Sequence, residues 1–140
     1  GVTTLEAVAE NVTGEGRIAI AHDARRSEVY LQIFDLKAGH VIPVSRPLAV
    51  PLCEVEDCLD GKVTAVFGTG VELVKTALSQ DVMNKLAFPD IPPEPDAATV
   101  GRMIHAHLAA GGHVDEVVPL YLRPPDAVAA KPVTYSFHNQ

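Results

Sequence analysis

Residues 41–52 are apolar enough to form a β-strand, yet proline stands at 43, 47 and 51. A prolyl nitrogen donates nothing to a ladder, so such a strand must lie at a sheet edge or be broken. The sheet is thereby bounded on one side before any other element is placed.

Two strands precede this edge. Residues 17–21 are short, apolar and partly β-branched. Residues 27–35 alternate, with Val29, Leu31 and Ile33 on one face and Tyr30, Gln32 and Phe34 on the other. The polar stretch 22–26 joins them, which predicts an antiparallel hairpin with a charged turn. Ahead of it, Leu5, Val8, Ala9 and Val12 mark the buried face of a helix over 3–12, opened by a Thr3/Glu6 capping box.

After the edge, a helical piece over 53–59 leads to a strand at 62–67, apolar enough to be central. Gly68-Thr69-Gly70 turns that strand into a helix reaching about residue 79. Val71, Val74 and Leu78 line its inner face, and Thr69 with Glu72 reads as a second capping box. A short strand is expected at 84–88 and a proline-stiffened link at 91–95. Asp96 caps a helix to 110 with Val100, Met103, Ile104, His107 and Leu108 on one face, ended by Gly111-Gly112. Residues 117–140 read as an extended tail. The order β-β-β-α-β-α-(β)-α behind a first helix implies a single α/β domain over 1–140. Its mixed sheet with flanking helices has a ribonuclease H-like layout, in which the third strand of the meander is the edge.

Eleven Lys and Arg against 18 acids give a net charge of −7. That balance argues against tight nonspecific binding of nucleic acid, which needs clustered cations facing phosphates. Two cysteines in 140 residues are too few for a disulfide scaffold. No apolar run is long enough to span a membrane and no leader is visible, so a cytoplasmic protein is expected.

Candidate chemistry is sparse. Gly68-Thr69-Gly70 sits where backbone amides could cradle a nucleotide phosphate, but Leu73 occupies the place of a third glycine and no P-loop lysine follows. His105, His107 and His113 with Asp115 and Glu116 look like metal ligands, but residues two apart on a helix point to opposite sides. Cys53 and Cys58 read as free thiols. No serine has a nucleophile context. Glu54, Glu56, Asp57 and Asp60 form an acidic run, usually a solvated face. Asp23, Arg25, Arg26, Glu28 and Tyr30 crowd the hairpin turn, and Tyr121 and Arg123 lie in the tail. Both segments suit either a solvated surface or a contact surface, since Arg and Tyr favour interfaces.

Three segments, in order, resemble one family. Residues 4–9 are similar to its S-L-E-A-L-A helix, residues 23–30 to its D-A-R-R-G-E-V-Y hairpin, and residues 119–123 to its P-x-Y-L-R tail. Gly68-Thr69-Gly70 also fits its G-x-G after a central strand. The family is bacterial TsaB, also called YeaZ. The family's first lobe, with its A-I-D-T-S-like strand, has no counterpart here. The resemblance therefore implies the second lobe of a two-lobed protein of the actin-like ATPase superfamily. It implies an accessory subunit without catalysis of its own, serving threonylcarbamoyladenosine formation in tRNA. A TsaD-type catalytic paralogue and a TsaE-type ATPase would be its partners, a homodimer being a further possibility. No cofactor is expected in this lobe, ATP and metal being expected on the partner. Two rival readings are a nucleotide-binding phosphotransferase or ATPase lobe using Gly68 and Gly70, and a glycoprotease-type metallopeptidase.

Overall fold

The computed structural model describes residues 1–92, 96–113, 120 and 122. The expected tail at 117–140, with Tyr121 and Arg123, lies outside the described residues apart from Leu120 and Leu122.

The long hairpin dominates the architecture. β1 (Gly16–Asp23) and β2 (Glu28–Lys37) pair antiparallel along the whole of β1, from Gly16↔Leu36 to Asp23↔Val29. His22 is therefore the penultimate residue of a strand and buried, rather than part of the expected polar link. The β-rich alternation simply continues two residues further than its apolar part. β5 (Val63–Phe67) joins β1 in parallel. β1 lies between two strands with helices above and below, and Ile18 to His22 are buried without interruption.

The proline-bearing edge is one strand in two halves. β3 (His40–Pro43) pairs with the far half of β2 and β4 (Leu48–Pro51) with its near half. In the gap between them Ser45 replaces what the prolines remove. Its hydroxyl accepts the Ile33 amide at 2.9 Å, while its own amide and that of Val44 donate to the Ile33 carbonyl. The backbone oxygen of Ser45 takes the side-chain amide of buried Gln32 at 3.1 Å.

Helices cover both faces. On one, Val29, Leu31 and Ile33 pack with Val50, Val66, and with Val55 of α2 (Val55–Cys58) and Val74 of α3 (Val71–Ala77). On the other, Ile18, Ile20, Phe34 and Phe67 pack with Leu5 and Val8 of α1 (Thr4–Ala9), whose Thr3/Glu6 capping box is complete. Val63 and Val66 reach the same face because the β1–β5 register slips, placing Ala65 rather than Thr64 beside Ile18.

Three expectations need correction. The strand at 84–88 gives way to α4 (Gln80–Lys85), and only Ala87 bridges to Ala65. Ser79 starts that helix, its amide and hydroxyl both bound by the Glu56 carboxylate, and Pro89 ends what strand remains. The second capping box is absent: Gly70 is the N-cap of α3, and the Thr69 side chain turns elsewhere. α5 (Ala97–Ala109) buries only Thr99, with Val100 and Met103 half-buried, whereas Ile104 and Leu108 are 41% and 46% exposed. It meets the body near its N-terminus, where Thr99 donates to Asn11, so the distal apolar residues find no surface among the described residues.

Arg17 locks the opposite end of the sheet from the hairpin tip. Its guanidinium grips Asp35 of β2 through two bonds of 2.7 and 2.9 Å and reaches Asp60, ahead of β5, at 2.6 Å. The hydrogen bonds from Arg17 hold the Asp35 carboxyl below the usual carboxylate range. Partial burial raises Asp60, but the bond from Arg17 and the amides of Lys62 and Val63 together bring it below the usual range.

Replacing Ser45 by Ala should leave the Ile33 amide without an acceptor and lower stability by about 1–3 kcal/mol in urea unfolding. Arg17→Met should be destabilised near neutral pH. Because both carboxyls sit below their ordinary 3.8 in the folded protein, the gap to wild type should hold above that pH. It should close as pH falls through their lowered folded values, and shrink with salt at neutral pH.

Candidate functional site

The C-terminal ends of β1 and β5 lie side by side, the end of a parallel pair where α/β proteins place ligands. Here the β1–β2 tip, the Gly68-Thr69-Gly70 turn and the start of α3 come together.

The turn is pressed against β1. Gly68 has φ of +117°, and a Cβ there would lie 2.2 Å from the Ala21 carbonyl oxygen. A Cβ on Gly70 would stand 3.0 Å from both the His22 backbone and the Val29 side chain. Gly68 is thus required by its approach to the Ala21 backbone, whereas a side chain at Gly70 would need its neighbours to give by a few tenths of an ångström. The amides of the turn are turned inward. Gly70 N–H donates to the Ala21 carbonyl at 2.9 Å, Thr69 N–H to His22 Nδ1 at 3.2 Å, and Val71 N–H to the Gly68 carbonyl at 3.3 Å. Glu72 adds a carboxylate to the first turn of α3 and pairs with Lys75.

His22 and Thr69 form the contact that sequence reading missed. The Thr69 hydroxyl accepts the Asp23 amide at 3.0 Å and lies 3.1 Å from His22 Nδ1. Because Thr69 N–H also points at Nδ1, a neutral His22 ring carries its proton on Nε2. The two residues are 47 apart in sequence, and no local pattern links them.

The hairpin tip is conformationally unusual. Arg25, Arg26 and Ser27 all have positive φ, at 62°, 53° and 58°. Side-chain residues enter this region at a cost of about 1–2 kcal/mol each. Asp23 Oδ1 accepts the Arg25 amide at 2.7 Å, and Ala24 N–H bonds the Glu28 carbonyl at 3.0 Å. The Ser27 carbonyl accepts Leu52 N–H at 2.9 Å, tying the tip to the end of β4. Ser27 occupies the place that the family motif fills with glycine. Arg25 and Arg26 stand at the surface, and Tyr30 is half-buried against the α1-side core. The structure thus gathers Asp23, Arg25, Arg26, Glu28, Gly68, Thr69 and Gly70 at one end.

Other candidates resolve differently. Two members of the acidic run are engaged inside the chain: Asp60 by Arg17 and Glu56 by Ser79. His107 Nε2 lies 3.1 Å from the His113 carbonyl, and its ring covers Gly112 at the end of α5. Among the described residues no three His, Cys, Asp or Glu side chains gather as a metal site. Both cysteines are free, with burial pushing the Cys58 thiol up. No helix among the described residues is long and apolar enough to cross a membrane.

The sheet order, with β3 and β4 on β2, then β1, then parallel β5, defines a ribonuclease H-like α/β lobe of the kind found in the actin-like ATPase superfamily. Its structural neighbours are YeaZ (TsaB) proteins, as the sequence resemblance implies. One is a crystal structure described as an uncharacterized protein with similarity to the peptidase YeaZ from Pseudomonas aeruginosa. It is 26% identical with a TM-score of 0.69, covering 87% of this chain and 57% of that one. Another is YeaZ from Pseudomonas aeruginosa, 24% identical with a TM-score of 0.68, covering 86% of this chain and 57% of that one. The chain therefore spans less than two thirds of the length of either. No family model matches the sequence, and no curated protein matches it.

Gly68→Ala should cost about 2–4 kcal/mol in chemical denaturation, since it adds strain to a steric collision. Gly39→Ala, at φ +76° with open space around it, should cost only the backbone strain, about 1 kcal/mol.

Proposed function

We propose that this chain is the second lobe of a TsaB-type accessory subunit, which supports a TsaD-type catalytic paralogue in forming threonylcarbamoyladenosine in tRNA. The observation that carries the reading is the likeness to a structure described as similar to YeaZ and to a YeaZ structure, over 87% and 86% of the chain. The motif segments at 4–9 and 23–30 fall on α1 and the hairpin of that shared fold. The inward-turned amides of Gly68-Thr69-Gly70 support an accessory role over a phosphotransferase one. A phosphate cradle needs those donors directed outward, and here the amides of Thr69, Gly70 and Val71 serve the fold.

In this reading the hairpin end works by shape. Three successive left-handed residues hold Arg25 and Arg26 at the tip of a rigid ribbon, and Thr69 fastens the ribbon's base through Asp23. A partner would meet a preformed surface and lose little entropy in ordering it. ATP and metal chemistry would reside on the TsaD-type and TsaE-type partners in the cytoplasm.

The test is the threonylcarbamoyladenosine content of bulk tRNA, read by mass spectrometry after depletion of the full-length parent protein. A clear fall, restored by the full-length gene and weakly by one with Arg25→Ala and Arg26→Ala, is expected. Unchanged modification under verified depletion would sink the reading. Purified full-length protein that binds ATP unaided would favour the phosphotransferase reading instead.

A further inference from the structure

At the end of the sheet away from the hairpin tip, α5 does not close fully onto the body. A groove of about 390 Å³ runs between its inner side and the β2–β3 turn. Glu10, His40 and Val41 line one wall, and Thr99, Arg102 and Met103 line the other. Its volume falls in the range of small-molecule sites.

The groove brings together ionisable groups that do not satisfy one another. Among the described residues no ion pair involves Glu10, His40 or Arg102. An acid and a guanidinium facing one groove without pairing leave both able to take a third party.

Arg102 is also held in place. Its Nη2 donates to the Thr99 hydroxyl at 2.7 Å. Thr99 is 2% exposed, and its hydroxyl is fixed between Asp96 at 2.7 Å and Asn11 at 3.0 Å. Asn11 follows α1 and Asp96 caps α5, so the guanidinium is anchored to both elements. Asp96, on the far side of that hydroxyl, feels the Arg102 charge, but no ion pair closes between them, so the other N–H donors of the fork stay open. An oriented guanidinium matches a planar carboxylate through paired N–H donors. The Glu10 carboxylate opposes a doubly charged phosphate but can accept a hydroxyl proton. Val41 and Met103 supply the apolar wall for a short carbon chain.

We propose that this groove binds a small hydroxy-carboxylate, its carboxylate on Arg102 and its hydroxyl toward Glu10. The site is separate from the hairpin end and does not depend on the role proposed for it.

The test is a titration of the isotope-labelled chain with lactate, followed by amide NMR. Shifts should cluster at Gly39, His40, Val41, Thr99, Arg102 and Met103 and saturate in the millimolar range. Arg102→Gln should weaken binding about tenfold or more. Arg102→Lys, which keeps the charge but loses the fork, should weaken it severalfold. Glu10→Gln should remove the preference for lactate over acetate. Both residues are at the surface, and an unchanged spectrum outside the groove will verify folding. Shifts that are absent, that scatter over the lysines, or that survive Arg102→Gln would overturn the proposal, as would tighter binding of inorganic phosphate than of lactate.

Discussion

The carbonyl of Ala21 fixes the hairpin end of the molecule. It accepts the Gly70 amide at 2.9 Å and leaves no space for a side chain at Gly68. That close approach seats the β5–α3 turn on β1, and the Thr69 hydroxyl can then reach the Asp23 amide. Asp23 in turn accepts from Arg25 and sets the start of the strained tip. One backbone contact, permitted by two glycines, thus propagates to side chains on a different connection. A tight turn of this kind resembles a nucleotide loop in sequence because both need glycine beside a strand end. What separates them is the direction of the amides.

Much of the fold was legible because it rests on local chemistry. Alternation in β2 assigns Val29, Leu31 and Ile33 to one face and Phe34 to the other, and the cores divide that way. The prolines at 43, 47 and 51 force an edge, which β3 and β4 form. Thr3 and Glu6 announce a capping box that is present. The misses share a cause. Thr69 with Glu72 satisfies the spacing of a box, but a longer-range donor, the Asp23 amide, takes the threonine hydroxyl and Gly70 takes the cap. The apolar spacing in α5 is that of a buried helix, yet burial depends on what lies opposite. Periodicity reports a face and cannot report its partner.

The candidate site was legible as a set of residues and illegible as an arrangement. The density of Asp23, Arg25, Arg26 and Glu28 marks the hairpin from sequence. The contact between His22 and Thr69 bridges elements 47 residues apart, and only the parallel pairing of β1 with β5 brings them together. The same holds for the acidic run. Glu56 and Asp60 look solvated in sequence, but they tie α4 and β5 to the rest of the chain.

The sheet order also carries a consequence for how the chain assembles. Every antiparallel partner lies within residues 16–51, joined by short connections, whereas β5 must cross from Val63 back to Arg17. Loop closure is cheap within the meander and dearer for the crossover. The meander can therefore collapse first, with β1 exposing one unpaired edge until β5 arrives. During that interval Ile18 and Ile20 lack part of their cover, and any passing strand could occupy the vacant side. Arg17, bonded to both Asp35 and Asp60, ties the approach to β5 to the meander by charge as well as by the ladder.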